Sequence, residues 1–181
     1  MITREEHARR TREALIEAGL QLAETSSLAG MSVNRVVKEA GVAKGSFFYH
    51  FGDRASYLLA LHRGFHDGVL AEVRRAIEGL PPGAGRLWSG ANGYLDACLR
   101  RRGVRALLLE ARAQPAVATE IRVRNDQIAH LCEPDFHVMG RRRPLESARL
   151  WVGLVAEAAL IEHDSGHRLP DLREAVREYL T

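Results

Sequence analysis

The sequence predicts an all-α protein: an N-terminal three-helix helix-turn-helix module, a long connecting helix and an all-helical C-terminal domain. Three observations carry that reading. Ala, Leu, Glu and Arg, all good helix formers, dominate the chain. Apolar residues recur at three-to-four spacing, and the strict alternation of a half-buried strand is missing. Glycine and proline clusters then cut the chain into helix-sized pieces.

The first helix is expected to start at Thr3, whose Thr-x-x-Glu spacing to Glu6 matches a capping box. Ala8, Leu15, Ala18 and Leu22 line its apolar side, and "ETSSLAG" ends it. Ser32 is a fitting N-cap for the second helix, in which Val33, Val36, Val37 and Ala40 form one narrow face. Gly41 follows, and three residues separate this helix from the next. Two helices this short cannot hold themselves together and must pack on their neighbours. Asp53 caps the long helix, expected over 53–79, where Leu58, Leu61, Phe65, Val69, Val73 and Ile77 form the buried stripe. Pro81 and Pro82 break the chain. Five further helices are expected at about 86–102, 104–113, 116–132, 145–163 and 170–180, with Pro115, the loop "EPDFHVMGRRRP" and "HDSGHRLP" as boundaries. A helix-turn-helix domain over 1–52 and an all-helical C-terminal domain over 53–181 follow.

Composition limits the function classes. At 181 residues with 46% apolar content the chain can bury a proper core. No apolar run approaches the roughly 18 residues of a membrane span, and "MITREEHARRTREAL" has no signal-peptide core, so a cytoplasmic protein is expected. Cys98 and Cys132 are too few for a disulfide framework and read as free thiols. The net charge is +3, and residues 1–54 hold eight Lys/Arg against seven Asp/Glu. A nucleic-acid reading must therefore rest on where polar groups sit, not on their number.

"GVAKGSFFYHF", Gly41 to Phe51, supplies that placement. The third helix begins near Lys44, and its N-terminus offers unpaired N–H groups and a positive dipole end suited to phosphate. Phe47 and Phe51 lie one turn apart and read as core; Phe48 and Tyr49 point outward. Lys44 adds a point charge, Gly45 lets backbone approach DNA, and Ser46 can bond a phosphate oxygen.

The stretch "SVNRVVKEAGVAKGSFFYHFGDRASYLLAL", Ser32 to Leu61, resembles the DNA-binding signature of the TetR family of bacterial transcriptional repressors. The resemblance rests on Ala40-Gly41-Val42, Lys44-Gly45-Ser46, the aromatic run with His50 and Phe51, and a basic residue opening the long helix. It covers about the first third of the chain. It implies a homodimer that represses transcription and releases double-stranded operator DNA when a small-molecule effector binds the C-terminal domain. Carried over by position, Ser32 contacts phosphate and Asn34 reaches a base edge. Lys44, Gly45 and Phe48 face bases, while Ser46, Tyr49, His50 and Arg54 grip phosphates. Two departures stand out: Ala43 replaces a frequent capping Ser, and Phe48 a frequent Tyr.

Beyond the module the signals are broader. Phe65, Trp88, Tyr94, Leu95, Leu99, Leu108, Met139 and Trp151 are candidates to line an apolar effector pocket, and equally good as plain core. His130, Cys132 and His137 are conceivable ligands of a metal-responsive repressor, although their spacing matches no common metal pattern. No metal, cofactor or catalytic residue is assigned, because no nucleophile with a base and no phosphate loop is visible. A helical protein-interaction module without DNA binding is the remaining alternative. Gly153, Ala156 and Ala159 suit close helix approach in a dimer interface built from the last two helices. Gly64 and Gly68 sit mid-helix and read equally as hinge or close-packing positions; as hinges, their replacement by Ala should stabilise the fold.

Overall fold

The computed structural model describes residues 3–181, and among these every regular element is a helix. The order is α1 (Arg4–Ala23), α2 (Val33–Glu39), α3 (Lys44–Phe51), α4 (Arg54–Ile77), α5 (Ala84–Arg100), α6 (Arg102–Ala111), α7 (Pro115–Val138), α8 (Pro144–Ser165) and α9 (Pro170–Glu178). The all-α expectation holds. Two compact units divide these elements. The first comprises Met1–His66 and Gly103–Thr119, the second Asp67–Arg102 and Glu120–Thr181. The functional boundary expected at 52/53 lies within the first unit, and α4 runs from the first unit into the second.

In the first unit, side-chain caps start the helices where the sequence places them. Thr3 Oγ1 accepts from the Glu6 N–H at 3.2 Å, Ser32 Oγ from Arg35 N–H at 3.3 Å, and Asp53 Oδ1 from Ser56 N–H at 2.7 Å. Between α2 and α3 the chain reverses at Gly41, whose φ of +65° is costly for any residue with a side chain. Helices α1, α2 and α3 pack pairwise around Leu15, Ala18, Val36, Val37, Phe47 and Phe51. Tyr57 of α4 locks the cluster: its ring lies 4.8 Å from Phe47 and 4.9 Å from Phe51, and its hydroxyl donates to Leu15 O at 2.7 Å. Burial pushes its phenol pKa well above the usual value, so it stays a hydrogen-bond donor at all working pH. Gly19 leaves room for that hydroxyl, since a Cβ there would lie 2.0 Å from it. Gly103 likewise lets α6 start against α1: a Cβ would sit 2.3 Å from Glu24 Cα.

In the second unit, α5 packs against α8 and α8 against α9. Gly90 and Gly93 of α5 face α4, where a Cβ at Gly93 would be 3.2 Å from Ala76 Cβ. Arg173 of α9 is buried and fastens three helices. Its Nε and Nη2 donate to Glu162 of α8 at 2.7 and 2.8 Å, and its Nη1 donates to Asp96 and Asn92 of α5 at 2.7 and 3.1 Å.

Two expectations are corrected. The loop foreseen around "EPDFHVMGRRRP" starts later, because α7 continues through Pro134 to Val138. An interior proline forfeits one helical hydrogen bond and costs about 3 kcal/mol. The next two residues offset it. Phe136 is buried, and the buried Asp135 accepts from Arg86 Nε and Nη2 at 2.7 and 2.6 Å and from the Gly83 N–H at 2.8 Å. That carboxylate thereby anchors the start of α5. The second correction concerns the stabilisation expected of alanine at Gly64 and Gly68, positions left open between hinge and close packing. A Cβ at Gly64 would lie 3.1 Å from Ile16 Cγ2 and one at Gly68 3.0 Å from Arg101 Nη1. Alanine there gains helix propensity but crowds a neighbour, so net stabilisation does not follow.

Candidate nucleic-acid interface

The third helix separates its aromatics by face. Phe47 and Phe51, four residues apart, are buried against Tyr57, whereas Phe48 is 46% and Tyr49 78% exposed. Lys44, on the same face as Phe48, is exposed, as is Gly45. Ser46 and His50, again one turn apart, are half-buried. A Cβ built on Gly45 meets nothing within 4 Å. Glycine inside a helix costs about 1 kcal/mol relative to Ala, and nothing within the chain requires it here.

The flanking residues are placed as follows. Ser32 Oγ accepts the cap bond of α2 and keeps its O–H to donate, and Asn34 is exposed in the first turn of that helix. Arg54, at the start of α4, donates to the carbonyls of Leu28 and Met31, the latter at 3.4 Å. It thus ties the turn before α2 to the base of α4. The His50 pKa is lowered by burial and by the nearby Arg12 guanidinium, so the ring is neutral at pH 7 and offers one N–H donor.

Ala43 has the extended backbone of an N-cap, φ −70° and ψ 147°, but no side-chain cap bond. Ala43→Ser is therefore expected to stabilise the protein by about 1 kcal/mol. Chemical unfolding measures this directly, and an unchanged or lowered stability would contradict the capping geometry.

Residues 15–61, from within α1 to α4, match the family model described as bacterial regulatory proteins, tetR family. The whole chain is similar to a transcriptional regulator from Rhodococcus sp. Rha1, with 25% identity, 93% of each chain covered and a TM-score of 0.76. Residues 15–61 are a TetR-family DNA-binding region, set in the fold of TetR-family regulators. Two further solved structures share the fold. One is a TetR transcriptional regulator from Rhodococcus sp. RHA1, 18% identical over 97% of this chain and 96% of that one, with a TM-score of 0.70. The other is the multidrug binding protein EbrR complexed with imidazole, 24% identical over 94% of each chain, TM-score 0.75. The fold shared with TetR-family regulators supports DNA-binding transcriptional regulation. Among the described residues no helix is long and apolar enough to cross a membrane.

The pocket candidates divide between the units. Phe65 and Leu108 are buried in the first; Leu95 and Trp151 are buried in the second, with Trp88, Tyr94, Leu99 and Met139 half-buried there. The metal candidates do not converge. His130, Cys132 and His137 all lie on α7, where His130 and Cys132 point roughly 200° apart. His130 sits 3.5 Å from Asp126 and Glu133, and burial pushes the Cys132 thiol up to about 11. No group of three or more His, Cys, Asp or Glu among the described residues could hold a metal ion.

Sequence reasoning missed two residues of this region, Tyr57 and Arg12. Tyr57 stands inside the matched stretch, but only tertiary packing shows that it braces α3. Arg12 reads in sequence as one more charge on the polar side of α1.

Proposed function

We propose that this TetR-family protein is a cytoplasmic homodimeric repressor, not an enzyme, that leaves its operator when a small organic effector binds the C-terminal domain. One observation carries the DNA reading. On α3 the aromatics that brace the fold point inward, while Lys44, Gly45, Phe48 and Tyr49 stand free on the surface. In a helix-turn-helix that surface enters the major groove. Lys44 and Phe48 then meet base edges, with Phe48 against a thymine methyl, and Gly45 lets the backbone come close. Ser32, Ser46, Tyr49 and His50 donate to phosphates, and Asn34 reaches a base edge from α2. Arg54 joins the phosphate set with N–H groups beyond those held by Leu28 and Met31.

Dimerisation is assigned to the outer face of α8, with α9 beside it. Leu150 is 76% exposed, Ile161 lies on the same face, and Gly153 between them would meet nothing with a Cβ. An exposed apolar row with a bare glycine suits close approach of a second helix. Ala159, expected at the same interface, is buried inside the chain, so Arg there would disrupt the core before any dimer contact. The recognition helices of the dimer would meet successive major grooves about 34 Å apart. Effector-driven release is supported by the fold shared with a multidrug-binding protein. Because α4 belongs to both units, an effector favouring a placement of the reading heads that operator disfavours must bind less tightly when operator is present.

Lys44→Ala is expected to weaken duplex binding several-fold and to flatten its salt dependence by about 0.9 per chain. Fluorescence anisotropy across a salt series reads both. Unchanged affinity and slope would exclude this docking.

A further inference from the structure

Helix α1 carries arginines that behave differently. Arg9 pairs with Glu13 and Arg10 with Glu6, each at 2.8 Å and each along the helix's own surface. Arg12 takes part in no ion pair among the described residues. It reaches across to α3, where its guanidinium carbon stands 5.3 Å from the centroid of the Phe51 ring. Arg12 itself is exposed. Phe51 closes the C-terminal end of α3, next to His50 and two residues beyond the exposed Tyr49. The nearby carboxylate of Asp53 is already held by the Ser56 N–H.

This arrangement gathers donors of one kind. Resting on a ring limits the rotamers of a long side chain and leaves the guanidinium edge turned to solvent. Arg12 is close enough to His50 to disfavour a positive charge on that ring. The locus therefore combines one permanent cation with the uncharged donors of His50 and Tyr49, a set suited to an oxygen anion. We infer that Arg12, on α1 outside the α2–α3 pair, is a DNA-phosphate contact: Phe51 seats its guanidinium beside His50, and α1 joins the C-terminal end of α3 in gripping the backbone. The inference rests on the DNA-binding reading above and adds a contact to it. Such a contact positions the protein on DNA without reading sequence, so it acts on every duplex.

The test uses the full chain and a mixed-sequence duplex of about 30 base pairs, titrated between about 50 and 200 mM salt. Arg12→Gln is expected to weaken binding several-fold at low salt and to flatten the salt slope by about 0.9 per chain bound, with the fold retained by circular dichroism. Arg12→Lys keeps the charge and should keep most of the slope. A slope for Arg12→Gln equal to that of the unaltered protein overturns the inference, and the DNA reading stands if Lys44→Ala still alters it. Failure of the unaltered protein to bind any duplex removes both. A second measurement needs no variant. Arginine-specific dicarbonyl labelling, read by mass spectrometry, should modify Arg12 in the free protein and spare it when duplex is bound; equal labelling in both states overturns the inference.

Discussion

Arg173→Ala is expected to destabilise the second unit by about 3–5 kcal/mol, because removing one partner of a buried ion pair strands the other. Arg173 is 2% exposed and Glu162 fully buried. The guanidinium satisfies both carboxylate oxygens of Glu162 and also binds Asp96 and Asn92. Burial by itself would raise the Glu162 carboxyl, but hydrogen bonds from Arg173 and the Leu169 N–H outweigh it and hold the group below its ordinary value of 4.5. A folded-state pKa below the unfolded one stabilises the fold above about that value. The stabilisation is lost as pH falls through the folded pKa. In Arg173→Ala the carboxyl loses its counter-charge and its pKa rises, so the variant's deficit should shrink on acidification toward pH 4. Urea unfolding at neutral and acid pH measures both effects. Replacing Glu162 and Arg173 together by Met should recover much of the loss. A single-variant loss below about 1 kcal/mol would contradict this account of the network.

Phe47→Ala is the corresponding experiment in the first unit and should cost about 3–5 kcal/mol. The ring is fully buried, with centroids of Phe48 and Phe51 at 5.5 Å and of Tyr57 at 4.8 Å. An eight-residue helix has little stability of its own, so α3 depends on this anchor. DNA binding should fall with stability, and recover when the variant is assayed at lower temperature or in a stabilising osmolyte. Phe48→Ala is the contrast, since a half-exposed ring gives little to the core yet faces the proposed DNA surface. Equal unfolding midpoints for the Phe47→Ala and unaltered proteins would mean that α3 is not held this way.

Much of the fold was legible because its signals are local. Thr3, Ser32 and Asp53 cap helices in sequence, and they cap them in the structure, because a side-chain oxygen needs only the N–H three residues on. The two faces of α3 were legible from helical rotation alone, which buries residues 47 and 51 together. Pro134 was misleading for the opposite reason. Its penalty is local and visible, while the grip of Asp135 on Arg86 and Gly83 depends on residues some fifty positions away.

The sequence by itself determined the all-α class, the helix-turn-helix with its Gly41 turn, and which aromatics of "GSFFYHF" face in. Capping, helical periodicity and glycine's access to positive φ each act within a few residues. Only the tertiary structure decided that Gly64 packs against Ile16, that Ala159 is core, that Tyr57 braces the reading helix and that Arg12 rests on Phe51. Each of these is a contact between helices, and the residue on the far side of such a contact is chosen by packing, which no spacing along one chain encodes.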